Sequence, residues 1–78
     1  MNAYKGFSLF NDIDDLELRT HNRARVLANM YEDNHKDGKL SPAATGTLLT
    51  YFQKVPDGER GGVQQLFQKM MYEKGFKV

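Results

Sequence analysis

The segment NDIDDLELRTHNRARVLANMYEDN, residues 11–34, is the longest part of the chain that is typical of one α-helix, and no proline or glycine interrupts it. Apolar and small residues recur in it at steps of three and four, which places them on one stripe of a helix about twenty residues long. The stripe comprises Ile13, Leu16, Thr20, Ala24, Leu27 and Tyr31. We therefore expect the first helix over residues 12–33, with the rest of the chain packed against its stripe.

A second helix is predicted over residues 42–55. Ser41 and Pro42 are an N-cap residue followed by proline at the first helical position. The helix has poor intrinsic propensity because threonine and glycine interrupt it, so packing of its apolar face must hold it in place. That face comprises Ala44, Leu48, Tyr51, Phe52 and Val55.

A third helix is predicted over residues 58–74, after Pro56 ends the second helix and Asp57 caps the next one. Its apolar residues follow the spacing i, i+3, i+4, i+7 and i+8, which is the clearest amphipathic pattern in the chain. Gly75 is expected at the position that stops a helix, with Phe76 folding back on the preceding turn. The apolar face comprises Val63, Leu66, Phe67, Met70 and Met71.

The first ten residues, MNAYKGFSLF, carry too many apolar side chains for a solvated tail and predict a packed N-terminal arm. Asn11 or Asp12 is expected to cap the first helix, and Asp15 to pair with Arg19 one turn later. With no repeat and no linker, the sequence predicts one all-α domain over residues 1–78: a small bundle of three main helices with a packed arm.

Composition narrows the range of functions. Eleven Lys and Arg against ten Asp and Glu leave a net charge of +1, which gives no overall attraction to nucleic acid or to an anionic membrane. The absence of cysteine excludes disulfides and thiolate metal sites. No apolar run approaches the roughly 20 residues of a membrane span. We expect a soluble protein of the cytoplasm without membrane contact.

Residues 33–44, DNHKDGKLSPAA, resemble the calcium loop of the EF-hand family. Asp33, His35 and Asp37 fall at the first, third and fifth ligand positions. The twelfth position, which in that family supplies a bidentate glutamate, is Ala44, and an imidazole suits calcium badly. Two carboxylates are too few ligands, so we predict a connecting turn that binds no calcium.

Catalysis requires a base beside a nucleophile, or two carboxylates in different environments, and the sequence offers neither. His21 is expected on a polar flank of the first helix and His35 in the following turn, where both would be solvated. The sequence therefore predicts a protein that is not an enzyme and that has no cofactor and no metal.

Four potentially cationic residues lie within seven positions of the first helix: Arg19, His21, Arg23 and Arg25. On a helix Arg23 falls beside the apolar face and Arg25 almost opposite to it, so the four cannot all meet one groove of DNA. At the start of the third helix Glu59 is expected to offset Arg60. Nucleic-acid binding is thus the second hypothesis.

Residues 3–13, AYKGFSLFNDI, together with Asn22–Val26 and Glu32–Asn34, resemble short accessory proteins encoded by tailed bacteriophages. The resemblance implies the cytoplasm of an infected bacterium as the setting, and it transfers no catalytic or binding residue. Small phage proteins of this kind commonly bind and redirect a host protein. Function is therefore expected to be non-enzymatic binding and modulation of a host protein, with a small nucleic-acid-binding regulator as the alternative.

One apolar residue of the first helix, Leu18, does not fit the stripe and falls on the opposite, polar face. Three hydrogen-bonding residues surround it on that face: Asn22, Arg25 and Asn29. These four residues are the candidate partner-binding site. Two other interpretations remain, namely that Tyr4 or Phe7 of the arm covers Leu18, or that Leu18 is an ordinary exposed leucine. A monomer is expected rather than a homodimer.

Overall fold

The computed structural model describes residue 10, residues 13–36 and residues 39–76. In these residues the chain forms three α-helices and one short β-hairpin: α1 Leu16–Asn34, β1 His35–Lys36, β2 Lys39–Leu40, α2 Pro42–Lys54 and α3 Asp57–Glu73. The helices pack against one another, which confirms the predicted small all-α bundle. The predicted arm lies outside the described residues except for Phe10.

Helix α1 begins four residues later than predicted, because Asp15 is its N-cap. The Asp15 carboxylate accepts a hydrogen bond from the backbone N–H of Leu18 at 3.1 Å. Before the cap the chain is not helical, and the Arg19 guanidinium donates to the carbonyl oxygen of Ile13 at 2.6 Å. Arg19 therefore holds the segment before the helix rather than pairing with the Asp15 carboxylate. The two predicted caps lie outside the described residues: Asn11 and Asp12.

The apolar stripe of α1 was predicted only in part. Ala24 and Leu27 are buried as expected, whereas Leu16 is 53% exposed, because the later start puts it in the first turn, at the end of the bundle. Three buried residues of α1 were not on the predicted stripe: Arg23, Ala28 and Met30. The face that meets the other helices is thus wider than the stripe and includes a charged side chain.

Helices α1 and α3 run in the same direction, and α2 runs back between their ends. Arg19 and Glu59 meet near the starts of α1 and α3, and Glu32 and Lys74 meet near their ends. Helix α1 packs most extensively against α3 and less against α2, while α2 and α3 contact each other least. The bundle is therefore organised around α1, and its weakest contact is between α2 and α3.

The connection between α1 and α2, which was predicted as a turn, is a β-hairpin. His35 pairs with Leu40, and Lys36 pairs with Lys39, in antiparallel register. Asp37 and Gly38, the predicted turn residues, lie outside the described residues. The hairpin brings the chain from the end of α1 to the start of α2.

The start of α2 is confirmed: the Ser41 hydroxyl accepts the backbone N–H of Ala44 at 3.1 Å, and Pro42 is the first helical residue. The predicted cap at Asp57 is wrong. Pro56 occupies the N-cap position without a side-chain hydrogen bond, and Asp57 is already helical. The Asp57 carboxylate instead pairs with the Arg60 guanidinium at 2.6 Å. The Arg60 side chain folds back over the connection between the two helices.

The predicted stop of α3 is confirmed. Gly75 has a φ of +93°, a left-handed conformation that favours glycine. Its N–H donates to the Tyr72 carbonyl at 3.0 Å, and the N–H of Phe76 donates to the Met71 carbonyl at 2.9 Å. These two bonds define a Schellman motif. The motif turns the chain back towards the end of α1.

The core lies where the three helices meet. It comprises Ala24, Leu27, Tyr51, Val55 and Val63, with partly buried apolar residues of all three helices around them. The apolar faces predicted for α2 and α3 supply Tyr51, Val55 and Val63 and most of the partly buried residues, so both faces are confirmed. In the part of the chain that the structure describes, none of the helices is both long and apolar enough to cross a membrane.

Candidate functional site

The candidate binding residues lie together on the outer face of α1. Leu18 is 49% exposed, Arg25 and Asn29 are exposed, and Asn22 is partly buried. Steps of four, three and four residues along a continuous helix put them on the face opposite buried Leu27. The interpretation in which Tyr4 or Phe7 covers Leu18 concerns residues outside the described ones.

Leu18 also borders a shallow depression that the sequence did not predict. Asp15, Glu17 and His21 of α1 line it together with Leu66 of α3. Leu18 therefore has carboxylates and an imidazole close to it in the first turns of α1, and the three other candidate residues further along the same face. A partner that covered Leu18 would meet hydrogen-bonding groups around it.

A cluster of one carboxylate and two guanidinium groups joins the starts of α1 and α3. We call Arg19, Arg23 and Glu59 the Glu59 clamp. Oε1 of Glu59 accepts from Nε of Arg19 at 3.0 Å and from Arg23 at 2.6 Å. Arg23 is completely buried, whereas the Glu59 side chain keeps 24% of its exposure. Glu59, which was expected to offset the charge of Arg60, bridges to α1, and Arg60 pairs with Asp57.

The two guanidinium groups of the clamp stabilise the ionised form of the Glu59 carboxyl. Hydrogen bonds from Arg19 and then Arg23 hold the pKa of its carboxyl below the ordinary value of 4.5, with the two positive charges acting in the same direction. A buried arginine needs such a partner because an uncompensated buried charge is costly. The clamp is therefore a structural element that ties α1 to α3.

Tyr51 of α2 faces the clamp from inside the core. Its side chain is buried, and burial raises the pKa of the phenol to about 12, while the positive charge of Arg23 lowers it. The phenol is thus neutral over the physiological range. It contributes a polar group to the core without becoming a titrating group near pH 7.

Four rings pack at the opposite end of the bundle. We call Tyr31, His35, Phe67 and Phe76 the aromatic cluster. The ring of His35 stacks on Tyr31 with centroids 5.5 Å apart and an interplanar angle of 20°, and meets the ring of Phe76 edge-on at 4.9 Å. His35 was predicted to be solvated; it is partly buried, because the Schellman motif brings Phe76 against its ring.

The loop that resembles an EF-hand uses its polar groups for other purposes in this structure. The Ser41 hydroxyl caps α2, and the imidazole of His35 packs in the aromatic cluster. Among residues 13–36 and 39–76, no three His, Asp or Glu side chains gather where they could hold a metal ion. The absence of calcium binding stays a prediction.

An open apolar groove runs between α2 and α3, with α1 as its floor. Its volume is about 290 Å³. The lining residues are Leu27, Tyr31, Thr45, Leu48, Leu49, Phe52, Gln64 and Phe67. No sequence pattern indicated the groove, because it results from the weak contact between two helices that each pack well on α1.

Comparisons of the chain with protein-family models, with curated proteins and with solved structures gave no match.

Proposed function

We propose that this chain is a non-enzymatic protein-binding module, a phage-encoded accessory protein that binds and modulates a host protein in the cytoplasm of the infected cell. The observation that carries the proposal is the half-exposed Leu18 among hydrogen-bonding residues on the outer face of α1. The phage setting rests on the resemblance of residues 3–13, 22–26 and 32–34 described above.

Binding is favoured over catalysis by the two groups among the described residues whose pKa is clearly shifted. The pKa of Glu59 is lowered and that of Tyr51 is raised to about 12, so both move away from neutrality. A general acid or base works best when its pKa lies near the working pH. Neither shift therefore prepares its group for acid–base catalysis near neutral pH.

A protein partner is favoured over nucleic acid by the Glu59 clamp. Arg19 and Arg23 both pair with Glu59, and Arg23 is buried. Arg25 and His21 are the two members of the cationic group that stay exposed. Because affinity for nucleic acid depends on neutralising many phosphates, so small a charge supports the alternative, a nucleic-acid-binding regulator, only weakly.

The site implies the chemistry of the partner surface. Leu18 fits an apolar depression, since a central apolar anchor surrounded by polar contacts is a common arrangement in interfaces. The Arg25 guanidinium can donate hydrogen bonds to a carboxylate or carbonyl oxygen of the partner. The side-chain amides of Asn22 and Asn29 can both donate and accept hydrogen bonds. We expect a modest interface with one anchor.

The test is a paired substitution in the full chain. Leu18→Glu should abolish capture of the host protein from bacterial lysate, while Leu16→Glu, with nearly equal exposure on the other side of the helix, should leave capture intact. Both substitutions should change the unfolding free energy by about 0.5 kcal/mol or less, because both sites are exposed. Calorimetry with the purified partner then measures the two affinities.

Equal capture by the two variants would overturn the proposal that Leu18 is the anchor. Binding to non-specific DNA that falls steeply with salt would favour the alternative function instead.

A further inference from the structure

The groove between α2 and α3 leaves apolar surface uncovered in the monomer. Leu48 and Phe52 form its α2 side, Phe67 its α3 side, and Leu27 part of its floor. Leu49 stands at its edge and is 54% exposed. Burying this surface would be favourable, since the gain is proportional to the apolar area removed from water.

The helix beside the groove carries no charge over twelve residues. Charged residues make up 27% of the chain, yet residues 42–53, PAATGTLLTYFQ, include none. The exposed residues of this part of α2 are Pro42, Ala43, Thr45, Gly46, Thr47, Leu49, Thr50 and Gln53. Depletion of charge is characteristic of the buried centre of protein interfaces.

Gly46, one turn before Leu49, permits close approach from outside. A methyl group built on its α carbon would meet no atom within 4 Å. Glycine inside a helix is less favourable than alanine, and nothing in the described fold of the monomer requires it there. Its open position next to Leu49 leaves room for the backbone of another helix.

We infer, contrary to the monomer expected from the sequence, that the occupant of this groove is a second copy of the chain. In a two-fold dimer, α2 of each copy would lie in the α2–α3 groove of the other, with Leu49 entering the partner's groove. A two-fold interface sets identical patches against each other, so like charges near the axis would repel. The uncharged residues 42–53 of α2 meet this requirement. The groove and Leu49, the side chain that would enter the partner's groove, lie side by side on the same molecule.

This dimer goes beyond the proposed function, because it uses α2 and α3 and leaves the outer face of α1 free. A dimer would present two Leu18 faces to a partner. We expect weak association, because the contact would be made by α2, which has thirteen residues and is about 20 Å long, and by the groove beside it, whereas a stable interface buries roughly 800 Å² on each partner. We expect a dissociation constant on the order of 100 µM.

Sedimentation equilibrium of the full chain from about 10 µM to about 1 mM tests the inference. The mass should rise from 9.0 kDa towards twice that value. Leu49→Glu should raise the dissociation constant at least about tenfold, because it places a charge in an apolar groove. Leu16→Glu, matched in exposure, should leave the dissociation constant unchanged.

Gly46→Gln separates association from folding. The substitution should raise the melting temperature of the monomer by about 2–5 °C through helix propensity, yet weaken the dimer by filling the space for the second helix. A chain that stays at 9.0 kDa at every concentration would overturn the inference. So would a dimer that Leu49→Glu leaves intact, or one that Leu16→Glu and Leu49→Glu weaken equally.

Discussion

The two ends of the α1–α3 pair are held by different physical forces. At the starts of the helices the Glu59 clamp joins two guanidinium groups to one carboxylate, with Arg23 fully buried. At their ends the aromatic cluster packs four rings, and an exposed pair between Lys74 and Glu32 adds little. One end depends on charge compensation and the other on apolar and ring contacts.

Because the forces differ, the two ends of the α1–α3 pair should tolerate different substitutions. A charged cluster with a buried member fails when one partner is removed but can tolerate an apolar residue of similar volume. A substitution in the aromatic cluster lowers the stability of the fold in proportion to the apolar area that it removes. The two phenylalanines of the cluster have no group that acid could protonate. Substitutions at the two ends should therefore differ in size and in dependence on pH.

The largest effect is expected at the clamp. Arg23→Ala removes a fully buried side chain and leaves a cavity, which should cost about 3–5 kcal/mol. The melting temperature should fall by more than about 10 °C. Arg23→Met, which fills much of the volume without charge, should cost far less, and thermal unfolding followed by circular dichroism compares the two. Equal losses would show that the charge, and not the volume, is what the site requires.

A smaller effect is expected at the aromatic cluster. Phe76→Ala removes a partly buried ring that meets both Tyr31 and His35, and should cost about 1.5–3 kcal/mol. Tyr72→Ala is the matched control, because Tyr72 lies at the same end but is 68% exposed. Urea unfolding should show a shift of the midpoint for Phe76→Ala alone. A similar shift for both would mean that the cluster adds nothing beyond the loss of a large side chain.

The smallest effect is the contribution of Glu59 to acid sensitivity. Because its pKa is lower in the folded chain than the ordinary 4.5, its stabilisation is fully present above that ordinary value and is lost as the pH falls further, through the lowered pKa of the folded chain. Unfolding free energies of the wild type and of Glu59→Gln, measured from about pH 6 to about pH 3, should therefore converge as the pH falls. A constant difference across this range would contradict the assignment.

Local sequence signals predicted the helices and most of their ends. Ser41 with Pro42, and Gly75 with Phe76, act within a few residues of their own positions, so their roles could be recognised directly. The start of α1 was missed because several Asn and Asp residues compete as caps there, and the choice depends on Arg19 holding the Ile13 carbonyl.

The features that the sequence did not reveal are contacts between distant residues. Glu59 lies 40 positions from Arg19 and 36 from Arg23, and no helical spacing connects them. His35 was expected in water because nothing in its own turn shows that Phe76 packs against it. The Leu18 face could be predicted because it depends on α1 alone, whereas the groove depends on how α2 and α3 are arranged around it.

The common direction of α1 and α3 also has an electrostatic consequence. Each α-helix carries a macrodipole, positive at its start and negative at its end, and two parallel helices place like ends side by side. The Glu59 carboxylate lies near both positive ends, and the Lys74 ammonium lies near both negative ends. These two charges are therefore favourably placed against the macrodipoles at their own ends, whereas their partners carry the unfavourable sign there: Arg19 and Arg23 at the starts and Glu32 at the ends.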